Sequence, residues 1–443
     1  MSDQEQAIIS KVSWRLIPFV AFAFLLCHID RNNLGFAALT MNKELGFTAT
    51  VFGWGAGIFF VGYCLFEVPS NLALRRFGAR RWIARVMISW GLVATCMALV
   101  SGKVSFLILR FLLGVAEAGF FPGIVFYLSQ WFPERHRAVV LSRFIFGQPL
   151  ALLISAALSG VILKLNGILG IAGWKWLFLI EGLPTVIIGF VTLFYLPDSP
   201  AAASWLAPSE RKWLQAQIDD EHNRVEAGQR MTLWQALSHP KVIALGFVYM
   251  GLILCQASTV MFLPLMLKGL RNLSSLQIGF IAAIPYVSAS IGMLIIGYSS
   301  DRARERKYHL LFSMLLVGTG SLGAALFHSN FVMTVLCVSM VTIGYFSSLP
   351  IFWMLPSAFL TGAASAGGIA LISSVGNMGG FIAQTTMGWL KDLTGDYRTG
   401  LMLFASAVTL AAIVAFLVWL QIEAQRKNRN KSGECYKKAT SET

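Results

Sequence analysis

The sequence predicts an all-α membrane protein, with twelve transmembrane helices in two six-helix halves and both termini in the cytoplasm. Three observations carry this prediction. Of 443 residues, 56% are hydrophobic and only 13% charged, against about 25% charged in a soluble domain. Apolar stretches of about 20 residues recur down the whole chain, each long enough to span a ~30 Å hydrocarbon core. Of the 35 Lys and Arg, 25 fall on the side holding both termini, 8 on the opposite side, and two (Arg31 and Arg110) lie inside segments. That asymmetry is the positive-inside pattern. It accounts for the net charge of +14 without any nucleic-acid partner.

In chain order the twelve segments lie at about 14–37, 51–73, 82–101, 104–129, 138–162, 174–196, 242–268, 276–299, 308–327, 330–355, 364–391 and 398–420. The first is full length and has no small-residue cleavage site, so it reads as a span and not as a leader. Glycine runs such as "GWGAG" (53–57) sit in apolar helix with no strand before them. They suit close helix packing and not a nucleotide loop. Five of the six cysteines (Cys27, Cys64, Cys96, Cys255, Cys337) lie within segments and Cys435 in the tail, with no CxxC. Neither a disulfide framework nor a metal site is expected.

A polar interval, 197–241, divides an N-terminal bundle (1–196) from a C-terminal one (242–420). It contains "WLAPSERKWLQAQIDDEHNRVEAGQR". Either it is a solvated linker, or its middle is an amphipathic helix laying Trp205, Leu206, Trp213 and Leu214 on the membrane surface. Basic turns recur at equivalent places in the two halves, "NLALRRFGARRW" (71–82) after the second segment and "GYSSDRARERKY" (297–308) after the eighth. Related halves facing each other place a substrate site at midplane between them. The basic stretch 421–443 reads as a disordered cytoplasmic tail near anionic lipid.

Ionisable residues inside a membrane segment are costly and usually functional. The first segment holds Asp30 and Arg31, and the fourth holds Arg110 and Glu117. Seven residues at 100° each fall about 20° short of two turns, so Arg110 and Glu117 share a helix face. If the first and fourth segments adjoin, two acids and two bases meet near the central cavity. Protonating both acids leaves two arginines free to attract a carboxylate, bidentate where geometry allows. A bound anion in turn disfavours the ionised acids, so proton and anion favour each other by linkage. The alternative is structural, with internal salt bridges holding the first segment on the fourth. His28 faces the cavity or only a neighbouring helix. Glu67, within about two turns of the basic turn after the second segment, reads as an interhelical latch with an arginine, and Glu181 as structural.

The segment pattern, central loop and paired turns resemble the major facilitator superfamily. "DRNNLGFAAL" (30–39), "PSNLALRRFGARRWIAR" (69–85), "RFLLGVAEAGFFPG" (110–123), "GWKWLFLIEGLPTVI" (173–187), "LPDSPAAASWL" (196–206) and "GIALISSVGNMGGF" (368–381) resemble its anion:cation symporter branch. The superfamily's turn motif is complete in neither half. Asn71 and Arg75 stand where Gly and Asp are usual, though Gly78 stays, and Arg304 stands at the later Gly of the second copy, which keeps Gly297, Asp301 and Arg302.

The resemblance implies a proton-coupled importer of a small organic carboxylate (an aromatic acid, hydroxy dicarboxylate or sugar acid), working as a monomer in the inner (plasma) membrane. The proton is its coupling ion and it has no other cofactor. The resemblance assigns proton transfer to Asp30 and Glu117, and gives Arg31 and Arg110 to substrate and acids. It puts Tyr63, Gln148, Trp353, Ser374 and Asn377 in the substrate site, with His28 and Gln256 as further candidates. An exchanger or uniporter using the same arginines is the alternative. No HExxH or GxSxG motif is present, so no enzyme is expected.

Overall fold

A computed structural model describes residues 3–227, 235, 238–303, 305–357 and 362–441. The described residues are overwhelmingly helical and include no strand. The first half comprises α1 (Asp3–Glu44), α2 (Ala49–Phe77), α3 (Ala79–Cys96), α4 (Lys103–Glu117), α5 (Phe120–Ser129), α6 (Glu134–Ile145), α7 (Gly147–Ile162) and α8 (Gly173–Tyr195). Helix α9 (Pro208–Ala227) lies in the connection. The second half comprises α10 (Pro240–Leu270), α11 (Ser275–Ala303), α12 (Lys307–Leu326), α13 (Phe331–Phe352), the single turn α14 (Met354–Ser357), α15 (Gly362–Thr394) and α16 (Arg398–Ser441).

Among the described residues, eleven helices are long and apolar enough to cross a membrane. The remaining segment expected from the sequence, 364–391, lies on α15. Large apolar side chains such as Ile187, Phe190 and Phe194 on α8, or Leu410, Ile413 and Leu417 on α16, point outward. Lipid is the solvent that accepts such a surface. The protein is a multi-pass membrane protein.

The fourth segment breaks immediately after Glu117. Pro122 has no N–H to offer Ala118, and its ring crowds the carbonyl four residues back. Gly119 takes up the break at φ +85°. A Cβ there would lie 2.6 Å from Cβ of Ser70, so both backbone angle and space select glycine.

In the first half α3 packs on α8, α2 on α4, and α1 on α7 and α8. The halves meet along α2 and α15, α7 and α11, and α1 and α10. At the end where α1 leaves and α2 begins, small residues bring these helices into near-backbone contact. A Cβ on Gly160 would lie 3.0 Å from Cα of Gly279, and one on Gly388 would lie 3.1 Å from Cα of Gly53. Asp392 of α15 accepts from the Ala49 and Thr50 amides at 3.1 and 2.7 Å, capping α2 from the other half. The orphan amides of a helix start suit a carboxylate. At the other end of this interface, Ser374 Oγ donates to Glu67 Oε2 at 3.4 Å and Cys64 Sγ lies 3.7 Å from the Ser374 carbonyl.

The basic turn at 71–82 folds around Gly78 at φ +87°. Asp198, from "LPDSP", accepts from the Arg80 amide at 3.0 Å and lies 3.3 Å from its guanidinium. A carboxylate therefore reaches the turn from the end of the bundle, where the usual motif would carry one at position 75. Arg304 lies outside the described residues.

Two expectations are corrected. Trp205 stacks on Trp131 with centroids 5.8 Å apart, and Leu206, Leu214 and Ile218 are buried in the core of the first half. The connection thus docks on protein and not on the membrane surface. Lys11 and the Ala207 amide both donate to Glu210, at 2.8 and 2.7 Å, and hold its carboxyl below the ordinary range. The tail is also not irregular, since α16 runs on to Ser441. Extending a helix already nucleated by its span costs far less than starting one.

Candidate functional site

One cavity lies between the halves. Its polar end is lined by Asn32, Arg110, Gln256 and Gln384, and its aromatic end by Phe24, Tyr63, Phe121 and Trp353. His28, Arg31, Gln148, Tyr249, Tyr345 and Asn377 line both ends. Eight α-helices (α1, α2, α4, α5, α7, α10, α13 and α15) each present one or more of these groups.

The geometry follows from rotation about α1. Neighbouring residues on a helix stand about 100° apart, so Asp30 and Arg31 cannot face the same way. Arg31 faces the cavity and pairs with Glu117, a buried carboxylate on α4. Cys27 Sγ, one turn before Arg31, donates to the same Glu117 Oε1 at 3.1 Å. The Arg31 guanidinium carbon lies 4.9 Å from the Phe59 ring centre and 5.3 Å from that of Tyr63, within range of cation–π attraction. Arg31 Nε and His28 Nε2 are buried with no hydrogen-bond partner among the described residues.

Asp30 points the other way. Its Oδ2 accepts from Trp90 Nε1 at 2.9 Å and Thr185 Oγ1 at 2.8 Å, between α3 and α8. It does not line the cavity. The expected four-residue cluster is therefore corrected: Asp30 is directed into the first half, away from the arginines.

Arg110 lines the polar end of the cavity as expected, but it is not paired with Glu117. It shares a helix face with Glu117, yet its guanidinium donates to the α2 carbonyls of Gly55 (3.1 Å) and Ala56 (3.4 Å). Its guanidinium carbon lies 5.1 Å from the Phe59 ring centre, so Phe59 sits between two arginines. Seven residues along a helix is about 10.5 Å of rise, which aligns the two groups and still separates them.

Ser374, expected in the site, bonds Glu67 and does not line the cavity; its neighbour Ser373 does. Trp353 packs edge-on against Tyr249 at 5.1 Å. Tyr249, Tyr345 and Gln384 are cavity residues that sequence reasoning missed. Two of them carried a signal: Tyr249 precedes Gln256, and Gln384 follows Asn377, by the same seven residues that put Arg110 and Glu117 on one face. Among the described residues no group of His, Cys, Asp and Glu is arranged to hold a metal.

The chain matches the family model of the Major Facilitator Superfamily over residues 20–384 and 272–440. The chain belongs to that superfamily. Within it, the chain is 44% identical to a putative tartrate transporter of Agrobacterium vitis, over 94% of this chain and 92% of that protein. It is 39% identical to a quinolone resistance transporter of Acinetobacter baumannii, over 96% of this chain and 98% of that protein. Among solved structures, the xylose transporter XylE from E. coli superposes with a TM-score of 0.71, at 14% identity, covering 91% of this chain and 97% of that one. The superfamily's fold explains the two facing bundles, and the tartrate transporter's name is consistent with the symporter branch that the sequence resembles. The protein is a membrane transporter and not an enzyme.

Proposed function

We propose that this transporter imports a small organic carboxylate together with protons, by alternating access in the bacterial inner membrane. The observation that carries the reading is the Arg31–Glu117 ion pair inside the cavity. A substrate carboxylate and Glu117 compete for one guanidinium. When Glu117 takes a proton the fork of Arg31 is freed, and an incoming carboxylate replaces the lost counter-ion. Substrate leaving restores the pair once the proton is released. By linkage, each ligand tightens the other by the same factor.

Arg110, tied to backbone carbonyls, supplies a fixed positive charge at the polar end. The amides of Gln148, Gln256, Asn377 and Gln384 suit hydroxyl groups, and the rings around Trp353 suit an apolar or aromatic body. This supports a compact hydroxy dicarboxylate, such as the tartrate in its relative's name, as the first compound to test. The aromatic end favours an aromatic acid as the second. Lys and Arg counts support both termini in the cytoplasm.

The test is uptake of labelled tartrate and of a panel of aromatic acids into proteoliposomes under an imposed pH gradient. External acidification should raise uptake, and a protonophore should abolish accumulation. Uptake that persists at full rate after uncoupling would replace symport with exchange or uniport.

A further inference from the structure

Behind α1, away from the cavity, three helices each bring a pair of polar side chains about one turn apart. These are Asp30 and Asn33 on α1, Ser155 and Ser159 on α7, and Glu181 and Thr185 on α8. None of the six is more than 3% exposed. Thr185 donates to Asp30 at 2.8 Å and Ser159 to Glu181 at 3.2 Å. The Thr185–Asp30 bond places Glu181, one turn before Thr185 on α8, alongside the α1 face that carries Asp30 and Asn33. Five polar atoms here have no hydrogen-bond partner among the described residues: Asp30 Oδ1, Asn33 Nδ2 and Oδ1, Ser155 Oγ and Glu181 Oε2.

The charges around this pocket have one sign. Glu117, on α4, is paired with Arg31 on the cavity face, and among the described residues no cation is paired with Asp30 or Glu181. Helix α3 contributes Trp90 and α7 contributes the two serines, none of them cationic. Two carboxylates in an apolar interior without a cation cannot both be ionised. Each already accepts on one oxygen, from Thr185 and Trp90 or from Ser159, and keeps the other free. A proton on a free oxygen turns one carboxyl into a donor and removes the repulsion. A metal ion would need several oxygens turned inward, yet Trp90 presents an N–H.

We propose that Asp30 and Glu181 form a single proton-binding site behind α1, in which Glu181 shares and tunes the proton that Asp30 exchanges. The pair holds one proton when the carrier is empty and takes up a second on acidification. One carboxylate oxygen gains the proton and releases it later, and no other bond changes. The proton site and the carboxylate site then lie on opposite faces of one helix, coupled through Asp30 and Glu117. This rests on the proton-symport reading, in which Glu181 otherwise has no part.

The experiment is an infrared pH titration of the carboxylic C=O stretch on the purified full-length transporter, beside pH profiles of tartrate uptake. Wild type should show two coupled steps. Glu181→Gln should leave one, with its midpoint between the two wild-type steps and about one pH unit or more below the upper one, as expected for strongly interacting sites. Its uptake profile, which follows the lower wild-type step, should shift to higher pH, while tartrate affinity at acid pH changes less than about twofold, as for a distant site. Glu181→Asp, a second acid variant in case the amide folds poorly, should keep two steps. An unchanged midpoint in Glu181→Gln would make Glu181 a permanently neutral structural group and overturn the proposal. So would Na⁺-dependent thermal stabilisation that the same variant abolishes. Wild-type uptake indifferent to pH, alongside two coupled infrared steps, would overturn symport and leave the acid pair standing.

Discussion

The two faces of α1 differ more than their adjacent residues imply. On the cavity face, Arg31 pairs with Glu117 and leaves polar atoms unpaired toward the space between the halves. On the opposite face, Asp30 is held by Trp90 and Thr185 among carboxyl and hydroxyl groups, with no cation paired to it among the described residues. The first face suits an exchangeable anion, because Arg31 can trade one carboxylate for another. The second suits a proton, because nothing larger is needed to satisfy it. Adjacency in sequence therefore separates the two sites, since one residue along a helix is about 100° around it.

The sharpest way to break this comparison is Glu117→Gln. The amide keeps the shape and mimics the protonated acid, so gradient-driven uptake should be abolished while substrate counterflow survives at least partly. Both assays belong on one reconstituted sample. Equal loss of the two, with the fold weakened by about 3–5 kcal/mol as for a buried charge stripped of its partner, would make the pair structural.

Arg31→Ala comes next. Losing a charge-assisted hydrogen bond costs on the order of 1.5–3 kcal/mol, so affinity should fall ~10- to 100-fold. Arg31→Lys should recover only part of this, because an ammonium cannot reproduce the planar fork. Binding measured by thermal shift that is unchanged in a well-folded Arg31→Ala would return Arg31 to structure.

Trp90→Phe should have the smallest effect and sharpen the contrast. It removes one donor to the buried Asp30 and should lower stability by about 1–3 kcal/mol. Substrate affinity should stay within about twofold, because Trp90 is remote from the cavity. A large loss of affinity would mean that the two faces do not work separately.

Much of this architecture was legible in the chain. Ionised groups are so costly in hydrocarbon that apolar runs mark the spans and stray charges mark the working helices. His28, Arg31, Gln148, Gln256 and Asn377 are found in the cavity, as the resemblance implied. Asp30, Arg110 and Ser374 were harder. Their neighbours come from segments distant in sequence: Asp30 meets Thr185, Arg110 meets Gly55, and Ser374 meets Glu67. Glu181 looked structural for the same reason, since its partner Ser159 lies on another helix.

Composition and periodicity alone therefore determined that the chain crosses a membrane in long helices, and which of those helices carry charge. Both are local properties, because the cost of burying a side chain is set by its own chemistry. Only the tertiary structure decided which charge faces which partner. The rotation of a helix about its axis is settled by the packing of all its neighbours at once, and on α1 that rotation separates Arg31 in the cavity from Asp30 behind it.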